Sequence, residues 1–198
     1  MLPCYKSIKL VLDKILAFGL LVVLFPVLLI LALMVYYDQG TVFFLQRRPG
    51  LLEEPFYLLK FKTMKDGIEE DHMRVTPLGK WLRKYAMDEL PQLWNVLKGE
   101  MSLIGPRPYL MEYLPLYSLE HKSRHWVLPG MTGWTQVQGG DDLSWTEKLD
   151  LDSYYALHMS FFLDLKIFYK TVWLLASGKR KDQSIASFKG YVKKQTDF

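Results

Sequence analysis

Asp88 and Glu89 stand side by side, directly before Leu90-Pro91. Adjacent positions do not share a helix face, so the pair is not a surface ion-pair design. Two neighbouring carboxylates can hold a hard cation such as Mg²⁺, and either can act as a nucleophile. Cations suited to phosphate accompany them. Lys60 and Lys62 share one side of an extended segment, because alternate strand residues point the same way. Arg83 shortly precedes the pair. Arg107 sits in Gly105-Pro106-Arg107-Pro108, where the prolines stiffen the backbone and aim a planar fork that suits phosphate oxygens. Together these residues fit phosphoryl transfer, where positioning and charge neutralisation carry the chemistry.

Other chemistries lack their residues. No glycine-rich phosphate loop of the Walker type, no GxGxxG and no GxSxG elbow is present. Cysteine and histidine do not take zinc spacing. His121 and His125 are four apart, but the intervening Lys-Ser-Arg lacks the glutamate of a zinc hydrolase helix. They read as surface or structural residues.

The carboxylate pair must be positioned by the helix that follows. Proline suits a first helical position and glycine a C-terminal cap, so Pro91 to Lys98 reads as a helix ended by Gly99. Its N-terminus favours anions, whether the carboxylates or a substrate phosphate. Leu90, Leu93, Trp94 and Leu97 predict its buried face. Thr41 to Leu45 and Phe56 to Phe61 read as strands flanking the Arg48-Pro49-Gly50 turn. Lys65 to Arg74 reads as a polar loop and Leu78 to Tyr85 as a short basic helix. Tyr109 to Arg124 predicts a helix broken at Pro115. Tyr154 to Ala176 predicts one long helix with an apolar stripe of Phe161, Leu165, Phe168, Val172 and Leu175. That stripe suits either a membrane interface or a core. Residues 179–198 are polar and basic and read as a tail.

Ile15 to Tyr37 carries no charged residue and is long enough to cross a bilayer as a helix. No small-residue cleavage pattern follows it, so it does not read as a secretory signal. Lys6, Lys9 and Lys14 precede the run, and Arg47 and Arg48 follow it. The positive-inside tendency puts both ends on the cytoplasmic side. Pro26 lies at the centre, and proline interrupts helices. The expectation is a helix–break–helix that enters one leaflet and returns. The 198-residue chain carries a net charge of +4, which suits phosphates or anionic headgroups. Nucleic acid matches the charge but not the membrane segment, and is not expected as a partner. Cys4 is the only cysteine, which excludes an internal disulfide. It reads as a small residue near the membrane segment.

Five segments, in order, resemble the bacterial sugar transferases, the monotopic phosphoglycosyl transferases, in their small form. They are Arg48-Pro49-Gly50, KFKTM from Lys60, DELPQLWNVLKGEMSLIGPRP from Asp88, PGMTGWTQVQG from Pro129 and LDLKI from Leu163. The resemblance implies transfer of a sugar 1-phosphate from a UDP-sugar to polyprenyl (undecaprenyl) phosphate, with UMP leaving and Mg²⁺ required. It implies that Asp88 is the nucleophile that forms a covalent phosphosugar intermediate. Glu89 is its partner in handling metal or proton, and Arg107 binds phosphate. Lys60, Arg83 and Asp164 match charged family positions near the site, with Lys62 beside them. The sequence departs from the family pattern in three places. Phe25 precedes Pro26 where Ser is frequent, and Leu128 and Gly140 stand where arginines are frequent.

The expected fold is α+β and mostly helical. Residues 1–38 form the re-entrant membrane segment, and residues 39–198 form a small cytosolic catalytic domain with amphipathic interface helices. The expected location is the cytoplasmic face of the bacterial inner membrane, with membrane lipid as a partner; oligomerisation is compatible with all of this. A non-catalytic scaffold that binds anionic lipid accounts for the membrane segment and the charge. It gives no reason for Asp88-Glu89 or for Gly105 to Pro108.

Overall fold

The computed structural model describes residues 2–67 and 71–177, which are mostly helical. Helix α1 (Leu2–Gln39) leads into an antiparallel hairpin of β1 (Phe43–Pro49) and β2 (Pro55–Phe61). Short helices α2 (Asp71–Arg74), α3 (Pro77–Lys84) and α4 (Gln92–Lys98) follow. Strand β3 (Ser102–Ile104) pairs in parallel with β4 (Gly130–Thr132). Helices α5 (Trp134–Gln138), α6 (Trp145–His158) and α7 (Phe161–Ala176) complete the described chain. The side chain of Cys4 and the tail 179–198 lie outside the described residues, as do residues 68–70 of the polar stretch. At the base of that stretch Met64 bridges to Val75.

Helix α1 has Pro26 inside it, and the expected break is absent from the helical assignment. Proline removes the donor to the Val22 carbonyl, but that is one bond among many, and such loss is tolerated in apolar helices. Most of α1 is exposed and apolar. One stripe is not: Lys9, Asp13, Ala17, Leu31 and Val35 are buried. Ala17 packs with Phe56 and Leu58 of β2 and with Leu93 and Val96 of α4. Further along, Leu31 and Val35 pack with Phe61 and Leu82. Just beyond, Asp38 accepts a hydrogen bond from Thr76 at 2.7 Å. Both ends of α1 therefore grip the same domain.

Several local expectations need correction. The buried face of α4 is Gln92, Leu93, Asn95 and Val96, while Trp94 is 49 % exposed. Asn95 faces inward because it satisfies β2: it accepts from the Leu59 amide at 3.0 Å and donates to the Tyr57 carbonyl at 2.8 Å. Gly99 closes α4 at φ 85°, where glycine avoids the left-handed penalty. Tyr109 to Arg124 forms no α-helix. It supplies two 3₁₀ segments, Met111–Leu116 and His121–Trp126. The predicted helix from Tyr154 is two helices, α6 and α7, separated at Met159-Ser160. Ser160 caps the second by accepting from the Leu163 amide. On α7 only Asp164 and Ile167 are buried, so most of the apolar stripe faces outward rather than into a core.

The β3–β4 pair explains two glycine-rich segments. Gly105 donates to the Thr132 carbonyl and Gly130 to the Pro106 carbonyl, both at 2.9 Å. A Cβ on Gly130 would lie 2.0 Å from the Gly105 nitrogen. The two backbones approach too closely for any side chain. Gly130→Ala must push these strands apart, at a cost of about 1–3 kcal/mol. Thermal unfolding in detergent checks this: a lowered midpoint is expected, and an unchanged one contradicts the zipper.

Candidate active site

The Glu89 carboxylate is held by two cations. Its Oε1 accepts from Lys60 Nζ at 3.0 Å and from Arg107 Nη2 at 3.1 Å. Its side chain is only 7 % exposed, which strengthens both charge-assisted bonds. Asp88 lies beside it on the 3₁₀ turn Met87–Glu89 and is also buried. Ala86, in the left-handed region at φ 56°, turns the chain from α3 into this pair.

Arg107 is aimed by its backbone. Arg48, from the hairpin, donates to the Pro108 carbonyl at 3.2 Å. Arg124 donates to the Arg107 carbonyl and pairs with Asp152 at 2.6 Å. Asp152 in turn accepts from Thr135 of α5. Arg124 also stacks over Tyr109, 4.5 Å from the ring centroid. Two arginines thus hold the main chain while the Arg107 guanidinium reaches Glu89. Burial alone would lower the Arg107 pKa, but the charge and hydrogen bond of Glu89 reverse this and the net shift is upward. Burial and the neighbouring Arg107 bring Arg48 down to about 10, still protonated at neutral pH.

The remaining sequence candidates separate. Arg83 donates to Thr63 Oγ1 at 2.9 Å and Lys62 pairs with Asp66 at 2.7 Å. Asp164 lines the same cavity as Glu89 and Arg107, with partners of its own. It accepts from Tyr5 at 2.7 Å and Tyr155 at 2.6 Å, and pairs with Lys9 at 2.8 Å. Lys9, read above as a membrane-flanking charge, also pairs with Asp13, which accepts from Ser102. This buried clasp ties α1 to β3 and α7, and the Tyr155 hydroxyl also donates to the Ile104 carbonyl, just before the Arg107 loop. Pro26 lies on the exposed face of α1, away from these contacts.

Sequence reasoning missed Arg124, Asp152, Tyr155 and the clasp. Arg124 ended a predicted helix, and the two histidines read as surface or structural. They are buried instead, which corrects the surface alternative and leaves the structural one. His121 bonds Ser118 and Asp150.

A cavity of about 870 Å³ adjoins the site, walled by Glu89 and Arg107 at one end and by α1 and α7 beyond. Glu89 lines that wall and Asp88, its chain neighbour, does not. Among the described residues no group of three or more His, Cys, Asp or Glu forms a metal cage. Mg²⁺ needs none: it is commonly held by one or two carboxylates and completed by substrate phosphates and water. Asp88 and Glu89 fit that use.

The profile of the bacterial sugar transferase family matches residues 4–178. The chain belongs to this family. An uncharacterised sugar transferase, EpsL, of Bacillus subtilis is 52 % identical over 139 residues, 67 % of this chain and 69 % of that protein. The exopolysaccharide production protein ExoY of Sinorhizobium fredii is 34 % identical, covering 81 % of each chain. The UDP-glucose:undecaprenyl-phosphate glucose-1-phosphate transferase of Xanthomonas campestris is 38 % identical over 78 % of this chain. The chain spans only 36 % of that protein. It spans 45 % of a similar Aeromonas hydrophila protein, named as a UDP-N-acetylgalactosamine-undecaprenyl-phosphate N-acetylgalactosaminephosphotransferase.

His125 gives this sugar transferase a pH signature. Burial, reinforced by the charge of Arg124, lowers its pKa from 6.5 to about 3. In the unfolded chain it gains a proton below about 6.5, whereas the native state resists until about 3. Its contribution to stability is therefore complete above pH 6.5 and declines as pH falls through that window. Denaturant midpoints at pH 7 and 4.5 should differ less in His125→Phe than in the parent. An equal difference contradicts the assignment.

Proposed function

We propose that this sugar transferase moves a sugar 1-phosphate from a UDP-sugar to polyprenyl phosphate at the cytoplasmic face of the bacterial inner membrane. The observation that carries this reading is the buried Glu89 carboxylate, clamped by Lys60 and Arg107 beside Asp88, at the head of a cavity walled by an apolar helix. The names of the relatives supply the donor and acceptor classes.

An oxygen of Asp88 attacks the β-phosphorus of the donor. The bond from that phosphorus to the bridging oxygen breaks, and UMP leaves with the oxygen and its electron pair. An aspartyl phosphosugar remains. A phosphate oxygen of the polyprenyl phosphate then attacks the same phosphorus. The bond to Asp88 breaks, its carboxylate is regenerated, and polyprenyl diphosphate sugar is the product. Lys60 holds Glu89 in place, and Arg107 shares its charge between Glu89 and the incoming phosphate. Asp88 and Glu89 would hold Mg²⁺, which would neutralise charge on the donor diphosphate.

Asp88→Asn should abolish UMP release from UDP-sugars supplied with Mg²⁺ and polyprenyl phosphate. Near-parental turnover would remove Asp88 as the nucleophile. A panel of UDP-sugars in the same assay identifies the sugar.

Residues 1–38 are the membrane-embedded element and 39–198 the catalytic domain in this reading. The grip of one domain on both ends of α1 supports a helix that enters and leaves by the same face. In a Cys4→Ser background, cysteines at Ser7 and Tyr37 should both react with a membrane-impermeant maleimide from the cytoplasmic side alone. Labelling of either from the periplasm would mean a crossing.

A further inference from the structure

Gln136 of α5 carries a carboxamide that the fold does not use. Neither its Nε2 nor its Oε1 is exposed, and neither finds a hydrogen-bond partner among the described residues. Burying a polar group without a partner is costly, so such a group calls for an explanation. Its neighbours on the same helix are accounted for: Thr135 donates to Asp152, and Gln138 accepts from Lys170 at 2.8 Å. Gln136 instead lines the cavity that Glu89 and Arg107 line. A Cβ on Gly133 would lie 2.8 Å from the Gln136 Oε1 and 2.2 Å from the Gly105 carbonyl oxygen. The bare glycine therefore lets the amide settle close to the loop that carries Arg107. Beyond it the wall continues as Gly139 and Gly140, and a Cβ on Gly140 would meet nothing within 4 Å. Asp141, on the same wall, is near enough for its charge to act on Arg107. An unpaired amide thus faces open space beside the phosphate-binding arginine.

We propose that Gln136 reads the glycosyl unit of the donor. The proposal rests on the function above and names a residue that sets its sugar. A carboxamide offers a donor and an acceptor side by side, and so do the hydroxyl and N-acyl groups of a sugar. The glycosyl unit is bonded to the phosphate that is transferred, so it lies next to whatever Arg107 neutralises. The uridine lies one phosphate further away. An isoprenoid chain has no polar group to offer an amide. A sugar whose hydroxyl points elsewhere leaves the buried amide unpaired in the complex too, and a site built to meet a hydroxyl discriminates strongly against its absence.

UMP release can be measured for UDP-glucose, UDP-galactose, UDP-N-acetylglucosamine and UDP-N-acetylgalactosamine, with Mg²⁺ and undecaprenyl phosphate, in the parent and in Gln136→Leu. The ratio of kcat/KM between the best and second-best donor should fall about tenfold in the variant. Inhibition by UMP should keep its parental constant. Leucine fills a similar volume and the amide has no bond to lose, so the thermal midpoint in detergent should not fall. Gln136→Asn keeps the amide but withdraws it by one methylene, and should lower the same ratio. An unchanged ratio in either folded variant overturns the proposal. So does an equal loss for every donor with weaker inhibition by UMP, which would put the amide on the nucleotide. A lowered midpoint in Gln136→Leu also overturns it, since the amide would then have a structural partner. Failure of the underlying reading is distinguishable: the parent itself would release no UMP from any UDP-sugar.

Discussion

A single carboxylate, Glu89, organises the centre of this protein. Its partners come from segments far apart in the chain: Lys60 from the hairpin and Arg107 from the loop after β3. A buried carboxylate without them would be costly, so the clamp forms only when all three segments are in place. The rest of the architecture can be understood as meeting that condition. The hairpin presents Lys60 on a strand whose other edge is satisfied by Asn95. The Gly105–Gly130 zipper and the grip of Arg48 and Arg124 hold the Arg107 backbone while its side chain turns to Glu89.

The long apolar helix α1 is part of this construction. It contributes Ala17, Leu31 and Val35 to cores shared with β2, α3 and α4. It also contributes Lys9, Asp13 and Tyr5 to the clasp on Asp164. An apolar anchor alone needs no buried ion pairs, and their presence fixes the angle and register of α1 against the domain. The same contacts bring an apolar wall to within reach of Arg107.

Much of the site was legible in the sequence because its signals are local. Asp88-Glu89 before Leu90-Pro91, the prolines around Arg107 and the Gly99 cap all have short-range physical meanings; in the fold Glu89 meets Arg107 and Gly99 ends α4. What was not legible depends on distant partners. Arg124 looked like one charge in a polar stretch, since nothing nearby announces Asp152. Asp164 lines the same cavity as Glu89 and Arg107, but its pairing with Tyr5 and Lys9 was hidden because they lie at the other end of the chain. Trp94 was assigned inward by helical spacing, but Asn95 took the inward position by pairing with β2. The long helix from Tyr154 failed at Met159-Ser160, where a capping serine restarts the chain. At Pro26 the helical hydrogen bonding runs on, because a strongly apolar helix absorbs one missing bond.

The central claim is covalent: the glycosyl phosphate resides on Asp88 between the two transfers. Rapid quenching of the protein with UDP-sugar and Mg²⁺, without lipid, followed by intact-mass spectrometry, tests it most directly. The account predicts a mass increase equal to one glycosyl phosphate, mapped to the peptide carrying Asp88 and discharged on adding polyprenyl phosphate. Steady accumulation of lipid-linked product with no such adduct at any quench time would contradict it.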